Sequence, residues 1–191
     1  MYGTIFTPYM AKYNITDSRA AIISSIANFV SIFFAMVGSY IIDKTKKFRL
    51  ILLICNLCAL LIMILFTFLL ELIKNLDVIF SLGIILYSSL VGFLITIHTN
   101  GMDYVCELTY PVGESQSGGI IMSMNQVSGI GLTYLGQMFI DDIKDEKYIT
   151  NLLTCLTLLI SLITLWFIKD ELLRHEKENE MQLISESDKG N

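Results

Sequence analysis

Five uninterrupted apolar runs constrain this chain more than any other feature of its sequence. They cover residues 20–42, 48–70, 78–99, 117–140 and 149–168, and their interiors carry no Lys, Arg, Asp or Glu. A helix needs about 20 apolar residues to cross a hydrocarbon core. Charged residues make up 16% of the 191 positions, against about 25% in soluble domains. The sequence therefore predicts an all-α membrane protein that is surrounded by the lipid bilayer.

Basic residues predict which helix ends face the cytoplasm. The densest cluster, Lys44, Lys46, Lys47 and Arg49, lies between the first two runs, and such clusters favour the cytoplasmic side. Alternation then places residues 100–116 and a tail at 169–191 on the same side. We interpret residues 1–13 as the end of a further, truncated helix. The net charge of −5 comes mainly from the tail and one loop, so we expect no nucleic-acid partner.

Residue spacing divides the runs into two kinds. Small and mildly polar residues recur every three or four positions in the first and third runs, a pattern that favours close helix packing. They are Ala21, Ser24, Asn28, Ser31, Ala35 and Gly38 in the first run, and Ser81, Ser88, Gly92 and Thr96 in the third. The second and fifth runs are dominated by Leu and Ile on nearly every side, so we predict that they are peripheral and face lipid.

The fourth run carries two unlike faces. One is polar and uncharged, and the other is made of small and packing residues. The polar face consists of Gly119, Ser123, Gln126, Thr133 and Gln137, and the packing face of Gly118, Met122, Asn125, Gly129 and Gly136. Polar side chains cost free energy against hydrocarbon, so the polar face should meet protein or water. This pattern indicates a transporter.

Chemistry of other kinds has little support in the sequence. It contains no Gly-rich phosphate loop, nucleophile elbow or metal-ligand cluster, so we predict that the protein is not an enzyme and has no catalytic residues, metal site or cofactor. Cys55 and Cys58 are interpreted as small hydrophobes rather than as a metal or redox pair. His98 is interpreted as an interfacial, hydrogen-bonded side chain, with a proton-coupling site as the alternative.

Residues 38–47, Gly-Ser-Tyr-Ile-Ile-Asp-Lys-Thr-Lys-Lys, resemble the cytoplasmic signature of the major facilitator superfamily. An anion near the carbonyl end of a helix is unfavourable unless cations or a helix N-terminus lie close. We therefore expect Asp43 to pair with Lys or Arg and to act with Lys44 and Lys47 in gating. The alternative is a solvated turn that obeys the positive-inside rule.

A second resemblance lies in residues 101–111, Gly-Met-Asp-Tyr-Val-Cys-Glu-Leu-Thr-Tyr-Pro, with Ser-Gly-Gly at 117–119 and Asn-Gln-Val-Ser-Gly-Ile at 125–130. These segments resemble the feline leukaemia virus subgroup C receptor-related transporters. In this region Asp103 and Glu107 stand four apart and would share a helical face. We expect them to accept backbone or basic-loop hydrogen bonds and to help close the cytoplasmic gate, while Pro111 marks the break before the next helix.

The resemblance implies the C-terminal, six-helix half of a major facilitator fold, made of two three-helix repeats. Residues 1–168 would form this half-domain and residues 169–191 a cytoplasmic tail. The seventh helix would end at 1–13, and the eighth to twelfth would be the five runs at 20–42, 48–70, 78–99, 117–140 and 149–168. An N-terminal half-domain is then the expected partner, and a partial sequence or a truncated product would account for its absence here.

The resemblance also suggests substrates. Family members are similar in moving choline and ethanolamine, and the group was long described as exporting heme. The family's substrate-contacting glutamine matches Gln126, and its aromatic residue on the seventh helix is matched with Tyr2. A quaternary ammonium favours aromatic faces, for which Tyr2, Tyr87 and Tyr134 are candidates. Heme would call for Arg, Lys or a ligating His, and the interiors of the runs offer only His98.

The leading hypothesis is therefore a plasma-membrane secondary transporter for a small amine-bearing metabolite, working by alternating access. Two alternatives remain open. One is a heme exporter of the same family. The other is a non-transporting, truncated membrane protein that acts as a receptor or as a regulatory partner.

Overall fold

The computed structural model describes residues 6, 10, 15–73, 75–142 and 149–168. Five helices are assigned in these ranges: α1 (Asp17–Thr45), α2 (Phe48–Leu72), α3 (Leu76–Leu108), α4 (Glu114–Asp142) and α5 (Ile149–Phe167). Each predicted apolar run lies within one helix, apart from the last residue of the fifth run. The predicted helix end at 1–13, including Tyr2, and the predicted tail lie outside the described residues, except that Phe6 and Met10 are helical.

Three of the five helices can cross a membrane by their length and composition. These are α1, α2 and α3, whereas the apolar stretch within α5, Asn151–Phe167, is shorter. Helix α4 is as long as α1, with 29 residues, but its polar face keeps it outside this group. The protein is therefore an all-helical integral membrane protein. The spans at 117–140 and 149–168 stay predictions.

Helices α1 and α3 run parallel and form the most extensive interface of the described structure. Contacts advance together along the two helices: Gly83 faces Ile23, Gly92 faces Phe34 and Gly38 faces Thr96. A Cβ atom at Gly92 would lie 2.6 Å from the Phe34 ring, and one at Gly38 would overlap the Thr96 methyl group. The helices therefore approach closely only because these residues are glycine.

The predicted small-residue stripes are right along part of this interface. In α1 the buried positions include Ser31 and Gly38 as expected, but further toward its start they are Ala20, Ile23 and Ala27. In α3 Ser88, Gly92 and Thr96 are buried, whereas Ser81 is exposed. At the start of α1 the buried positions are offset by one residue from the predicted stripe of Ala21, Ser24 and Asn28, so small size alone did not mark the buried face there.

Helices α2 and α5 run antiparallel and are joined by polar side chains. The Asn56 amide donates to Ser161 Oγ at 2.7 Å, and the Asn151 amide donates to Thr67 Oγ1 at 2.9 Å. Arg49 donates to the carbonyl oxygens of Leu165 and Trp166, in the last turn of α5. Terminal carbonyls have no partner within their own helix, so Arg49 caps α5. The outer faces of both helices carry exposed Leu and Ile, as predicted for lipid-facing helices.

Helix α3 is longer than the predicted run and continues into the segment predicted as a loop. It runs to Leu108, and Asn100 and Tyr104 are both buried in it. The Asn100 amide donates to the Thr96 carbonyl, its side-chain oxygen accepts from Ser39 Oγ at 3.0 Å, and Tyr104 stacks on Phe48. The prediction that the helix ends at residue 99 is therefore wrong, because contacts with α1 and α2 hold two further turns in place.

The basic turn and the Glu-Leu-Thr-Tyr-Pro segment lie at the same end of the bundle. Lys46 closes α1 in the left-handed conformation, with φ of 54°, and its N–H bonds to the Ile42 carbonyl. The Tyr110–Pro111 peptide that follows α3 is cis. Arg49 brings the end of α5 to this side as well. This agrees with the alternation expected from the basic residues.

Candidate functional site

Helix α4 contacts both α3 and α5, and its described side-chain hydrogen bonds lie along a narrow strip that faces α3. Thr109 Oγ1 and Ser117 Oγ share a hydrogen bond of 2.8 Å, and the Asn125 amide lies 2.8 Å from His98 Nε2. Between these bonds, Gly118 lies over the end of Met102. The predicted packing face is therefore turned toward α3 at Gly118 and Asn125. His98 is exposed and hydrogen-bonded, in line with the interfacial interpretation.

The predicted polar face of α4 is largely exposed. Gly119, Ser123, Gln126 and Gln137 are exposed, and Thr133 is half-buried. Ser123 donates to the Gly119 carbonyl at 2.9 Å, and Thr133 donates to the Gly129 carbonyl at 2.7 Å. Hydroxyl groups that bond to their own helix leave little capacity for a ligand. Among the described residues, Gln126 forms no hydrogen bond with the protein, so its amide is free to bind another molecule.

The aromatic candidates lie in different surroundings. Tyr134 is 70% exposed on α4, two turns beyond Gln126. Tyr87 is 2% exposed in the core of α3, and one face of its ring is covered by Phe6, with ring centroids 3.7 Å apart. Tyr2 lies outside the described residues. The structure therefore leaves Tyr134 accessible and gives the Tyr87 ring a packing role.

A groove of about 660 Å³ follows the first turns of α4, beside the polar face. Its lining consists of Val112, Ser115, Gln116, Gly119, Ile120, Ser123, Met124 and Val127. Gln126 is the neighbour of the last of these residues but does not line the groove. The groove mixes hydroxyl and amide groups with apolar side chains, a composition that suits a small amphipathic solute.

The proposed gate residues gather at the end of the bundle that holds the basic turn. Asp43 and Lys44 lie in the last turn of α1, Lys47 lies in the turn after it, and all three are exposed. Asp103 feels the charges of Asp43 and Glu114, which places three carboxylates at this end. No cation of the described ranges pairs with Asp43. The expected ion pair is therefore not formed within the described residues, and the gating role of Asp43 stays a prediction.

Glu107 departs from its expected role in the same way. It is half-buried near the end of α3, and its Oε2 atom is enclosed without a hydrogen-bond partner in the part of the chain that the structure describes. Within the described residues no donor reaches this oxygen atom, and the gating role of Glu107 stays a prediction. Pro111 lies in the turn between α3 and α4, as predicted.

One polar network at this end escaped the sequence-based prediction. Ser39 Oγ donates to Asn100 Oδ1, and the Asn100 amide donates to the Thr96 carbonyl, which joins the signature segment of α1 to α3. Asn100 is only 1% exposed. The pattern that could have revealed it is the four-residue spacing of Gly92, Thr96, Asn100 and Tyr104, which places all four on one helical face.

Comparisons with known proteins point to one family. The chain is 33% identical over 150 residues to the choline/ethanolamine transporter flvcr2a of Danio rerio, covering 76% of this chain and 30% of that protein. It is 31% identical over 145 residues to the choline/ethanolamine transporter FLVCR1 of Felis catus, covering 73% and 24%. It is 27% identical over 143 residues to the MFS-type transporter C09D4.1 of Caenorhabditis elegans, covering 74% and 23%.

No family model matches the chain. The aligned part of the chain spans between 23% and 30% of the length of these three relatives. Over about three quarters of its own length, the chain therefore belongs with the FLVCR-related transporters of the major facilitator superfamily.

Proposed function

We propose that this chain forms the C-terminal six-helix half of a transporter that moves a small amine-bearing metabolite, such as choline or ethanolamine, by alternating access. In this proposal residues 1–168 are the half-domain, and an N-terminal half-domain supplies the other wall of the cavity. The names of the relatives from Danio rerio and Felis catus support the substrate class. The plasma membrane is the proposed location.

The observation that carries the proposal is the state of Gln126. It is exposed on the polar face of α4, and its amide has no protein partner among the described residues, whereas the hydroxyl groups of Ser123 and Thr133 bond to their own helix. An unpaired amide at membrane depth costs free energy unless it meets water or a ligand. Gln126 can accept a hydrogen bond from a substrate hydroxyl or ammonium group.

Tyr134 supplies the second part of the proposed site. Its ring is 70% exposed on α4, so an ammonium group can approach its face. Cation–π attraction contributes about 0.5–2 kcal/mol, and more as the contact is desolvated. Tyr87 is less suitable in this conformation because Phe6 covers its ring. The proposed contacts from the described residues are therefore Gln126 and Tyr134, with Tyr2 as a further candidate.

The same features argue for an amine rather than for heme. Heme is usually held by a ligating side chain, and its propionates favour cations. The helix interiors of the described structure offer His98, whose Nε2 is engaged with Asn125. The described lysines lie in the α1–α2 turn rather than beside Gln126.

We also propose a cytoplasmic gate, which closes in one state of the transport cycle and opens in the other. Its residues are Asp43, Asp103, Glu107, Lys44, Lys47 and Pro111. In the present arrangement the charge of Asp43 acts on Asp103, and no cation of the described residues pairs with either carboxylate. We propose that the lysines move against these carboxylates when the gate closes. If the lysines pair with these carboxylates in one state and separate from them in the other, this end of the bundle is closed in the first state and open in the second.

Uptake of labelled choline into cells that express the full-length product tests this proposal. Gln126→Ala should lower uptake about three- to tenfold, as expected for the loss of one hydrogen bond. The control is Ser128→Ala, which removes an exposed polar side chain from the same helix outside the groove and should leave uptake within about twofold of the unmodified protein. Equal uptake by the Gln126→Ala variant and the unmodified protein would remove Gln126 from the site.

The contribution of Tyr134 is tested with two substitutions. Tyr134→Phe keeps the aromatic face and should keep most of the uptake, whereas Tyr134→Ala should lower it about three- to thirtyfold. If both variants transport equally well, the ring does not contact the substrate. If the unmodified protein reaches the membrane and moves neither choline nor ethanolamine, the proposed substrate class is wrong.

A further inference from the structure

A second cavity lies away from α4, in the wedge where α1 and α2 diverge above α3. Its volume is about 490 Å³. Phe33, Val37 and Ile41 form the α1 wall, Ile51 and Ile54 the α2 wall, and Phe93 part of the floor. Phe33, Val37 and Ile54 are 56%, 58% and 53% exposed, so the apolar walls open outward from the bundle.

The polar groups near the floor are turned away from this cavity. Thr96 Oγ1 donates to the Gly92 carbonyl of its own helix at 2.9 Å, and the Thr96 methyl group packs against Gly38. The remaining lining is aliphatic or aromatic, apart from the thiol of Cys55. The cavity therefore offers hydrocarbon contacts and no hydrogen-bond partner for a polar solute.

Cations lie at one end of this groove. Ile41 is one helical turn from Lys44, and Ile51 follows one turn after Lys47. Lys44, Lys46 and Lys47 are all exposed, and none pairs with a carboxylate of the described residues. The acidic neighbour Asp43 forms no ion pair with a described lysine, and its charge acts on Asp103 of α3. Arg49, by contrast, is occupied by the carbonyls of α5.

The length of the groove matches the thickness of one leaflet of a bilayer. Phe33 lies 11 residues before Lys44, which is about 16 Å along a helix. Half of a hydrocarbon core is about 15 Å thick. A chain that begins at the lysines and follows the groove would therefore end near the middle of the membrane.

We infer that this groove binds an anionic phospholipid, with one acyl chain between α1 and α2 and the headgroup phosphate on Lys44, Lys46 and Lys47. Basic clusters at the membrane surface attract anionic headgroups, and the apolar wedge supplies the complementary site for the tail. The inference depends only on the membrane setting and on these contacts, so it stands apart from the proposed substrate.

Photolabelling in vesicles tests the inference. The purified protein is placed in phosphatidylcholine vesicles that contain a trace of phosphatidylglycerol with a photoreactive group on its acyl chain. A parallel sample carries phosphatidylcholine with the same photoreactive chain, and labelled peptides are mapped by mass spectrometry. Labelling of the α1 and α2 groove peptides should be about tenfold higher with phosphatidylglycerol. Equal labelling by both lipids would show an unselective lipid contact and would overturn the inference.

Two pairs of variants locate the tail and the headgroup. Ile54→Trp fills the groove and should lower phosphatidylglycerol labelling at least about fivefold, whereas Leu61→Trp, on an exposed position of α2 outside the groove, should not. A triple variant that changes the three lysines to glutamine should abolish the preference for phosphatidylglycerol; it carries Lys44→Gln, Lys46→Gln and Lys47→Gln. The control Arg19→Gln, at the opposite end of α1, should keep the preference.

A monodisperse elution profile in detergent confirms that each variant is folded before it is compared. Unchanged labelling in Ile54→Trp would place the lipid elsewhere, and an unchanged preference in the lysine variant would remove the proposed headgroup site. Absence of labelling at the groove peptides of the unmodified protein would mean that protein, rather than lipid, covers the groove.

Discussion

The two sides of α3 show opposite ways in which a membrane helix can use small residues. On one side, Gly92 admits the Phe34 ring of α1, and Gly38 of α1 rests on Thr96, so backbones and rings touch directly. On the other side, α4 is held by side-chain hydrogen bonds at Ser117 and Asn125. Its Gly119, Gly129 and Gly131 have no neighbour within 4 Å of a Cβ position. Glycine therefore marks tight packing in one interface and an uncovered face in the other.

The largest effect should come from filling the first interface. Gly92→Leu places a side chain where the Phe34 ring already lies 2.6 Å from the Cβ position, and overpacking of this kind costs about 1–3 kcal/mol or more. We expect a marked loss of folded protein and a lower melting temperature in detergent. Gly131→Leu on α4 is the matched control and should change the free energy of unfolding by less than about 1 kcal/mol. Equal damage from both substitutions would break the comparison, because α4 would then be covered as closely as α3.

The next largest effect should come from removing the hydrogen bonds with which Arg49 caps the end of α5. Arg49→Met removes the donors to the Leu165 and Trp166 carbonyls while keeping an apolar stem. Hydrogen bonds that involve a charged group contribute about 1.5–3 kcal/mol, so thermal unfolding should show a loss of about that size. Lys47→Met, which removes a neighbouring cation that has no bond among the described residues, should change stability little. Equal melting temperatures for the two variants would show that Arg49 does not hold α5.

A smaller effect is expected at the tie between α3 and α4. Asn125→Ala removes the 2.8 Å hydrogen bond to His98, and side-chain bonds between membrane helices average about 0.6 kcal/mol. We therefore expect a small loss of thermal stability with a clear loss of choline uptake, since Gln126 follows directly on the same helix. His98→Ala should give the same result, and the double variant should add nothing further. Additive losses in the double variant would show that the two side chains act independently.

The smallest effect is predicted for the ion pair at the far end of the first interface. Arg19 Nη1 lies 3.2 Å from Asp77 Oδ1, with the two side chains 46% and 85% exposed. Exposed pairs of this kind contribute about 0–1 kcal/mol. Arg19→Gln should therefore shift the melting temperature by a degree or two at most, and high salt should remove the difference. A loss that approaches that of Gly92→Leu would mean that charge rather than packing holds α1 to α3.

The sequence predicted the helices well because apolar length is a local property. It placed the end of α3 too early, since Asn100 and Tyr104 are held by Ser39 and Phe48, which are distant in sequence. The packing face of α4 was predicted correctly at Gly118 and Asn125 but not at Met122, which is 42% exposed, or at Gly129, which has no neighbour within 4 Å of a Cβ position. The predicted cation for Asp43 is not found among the described residues, because the partner of a charged side chain depends on tertiary packing rather than on neighbouring residues in the sequence. Sequence could not show that Phe6 would cover Tyr87, because that contact depends on tertiary packing.

The close approach at Gly38 and Gly92 also determines where a solute can travel. At Gly38 and at Gly92, α1 and α3 leave no room for a methyl group between them, and therefore none for a trimethylammonium ion. A solute cannot pass between these two helices at either position. In the proposed transport cycle, a permeant molecule would therefore pass outside this pair of helices, for example along α4, where the Gln126 amide has no partner among the described residues.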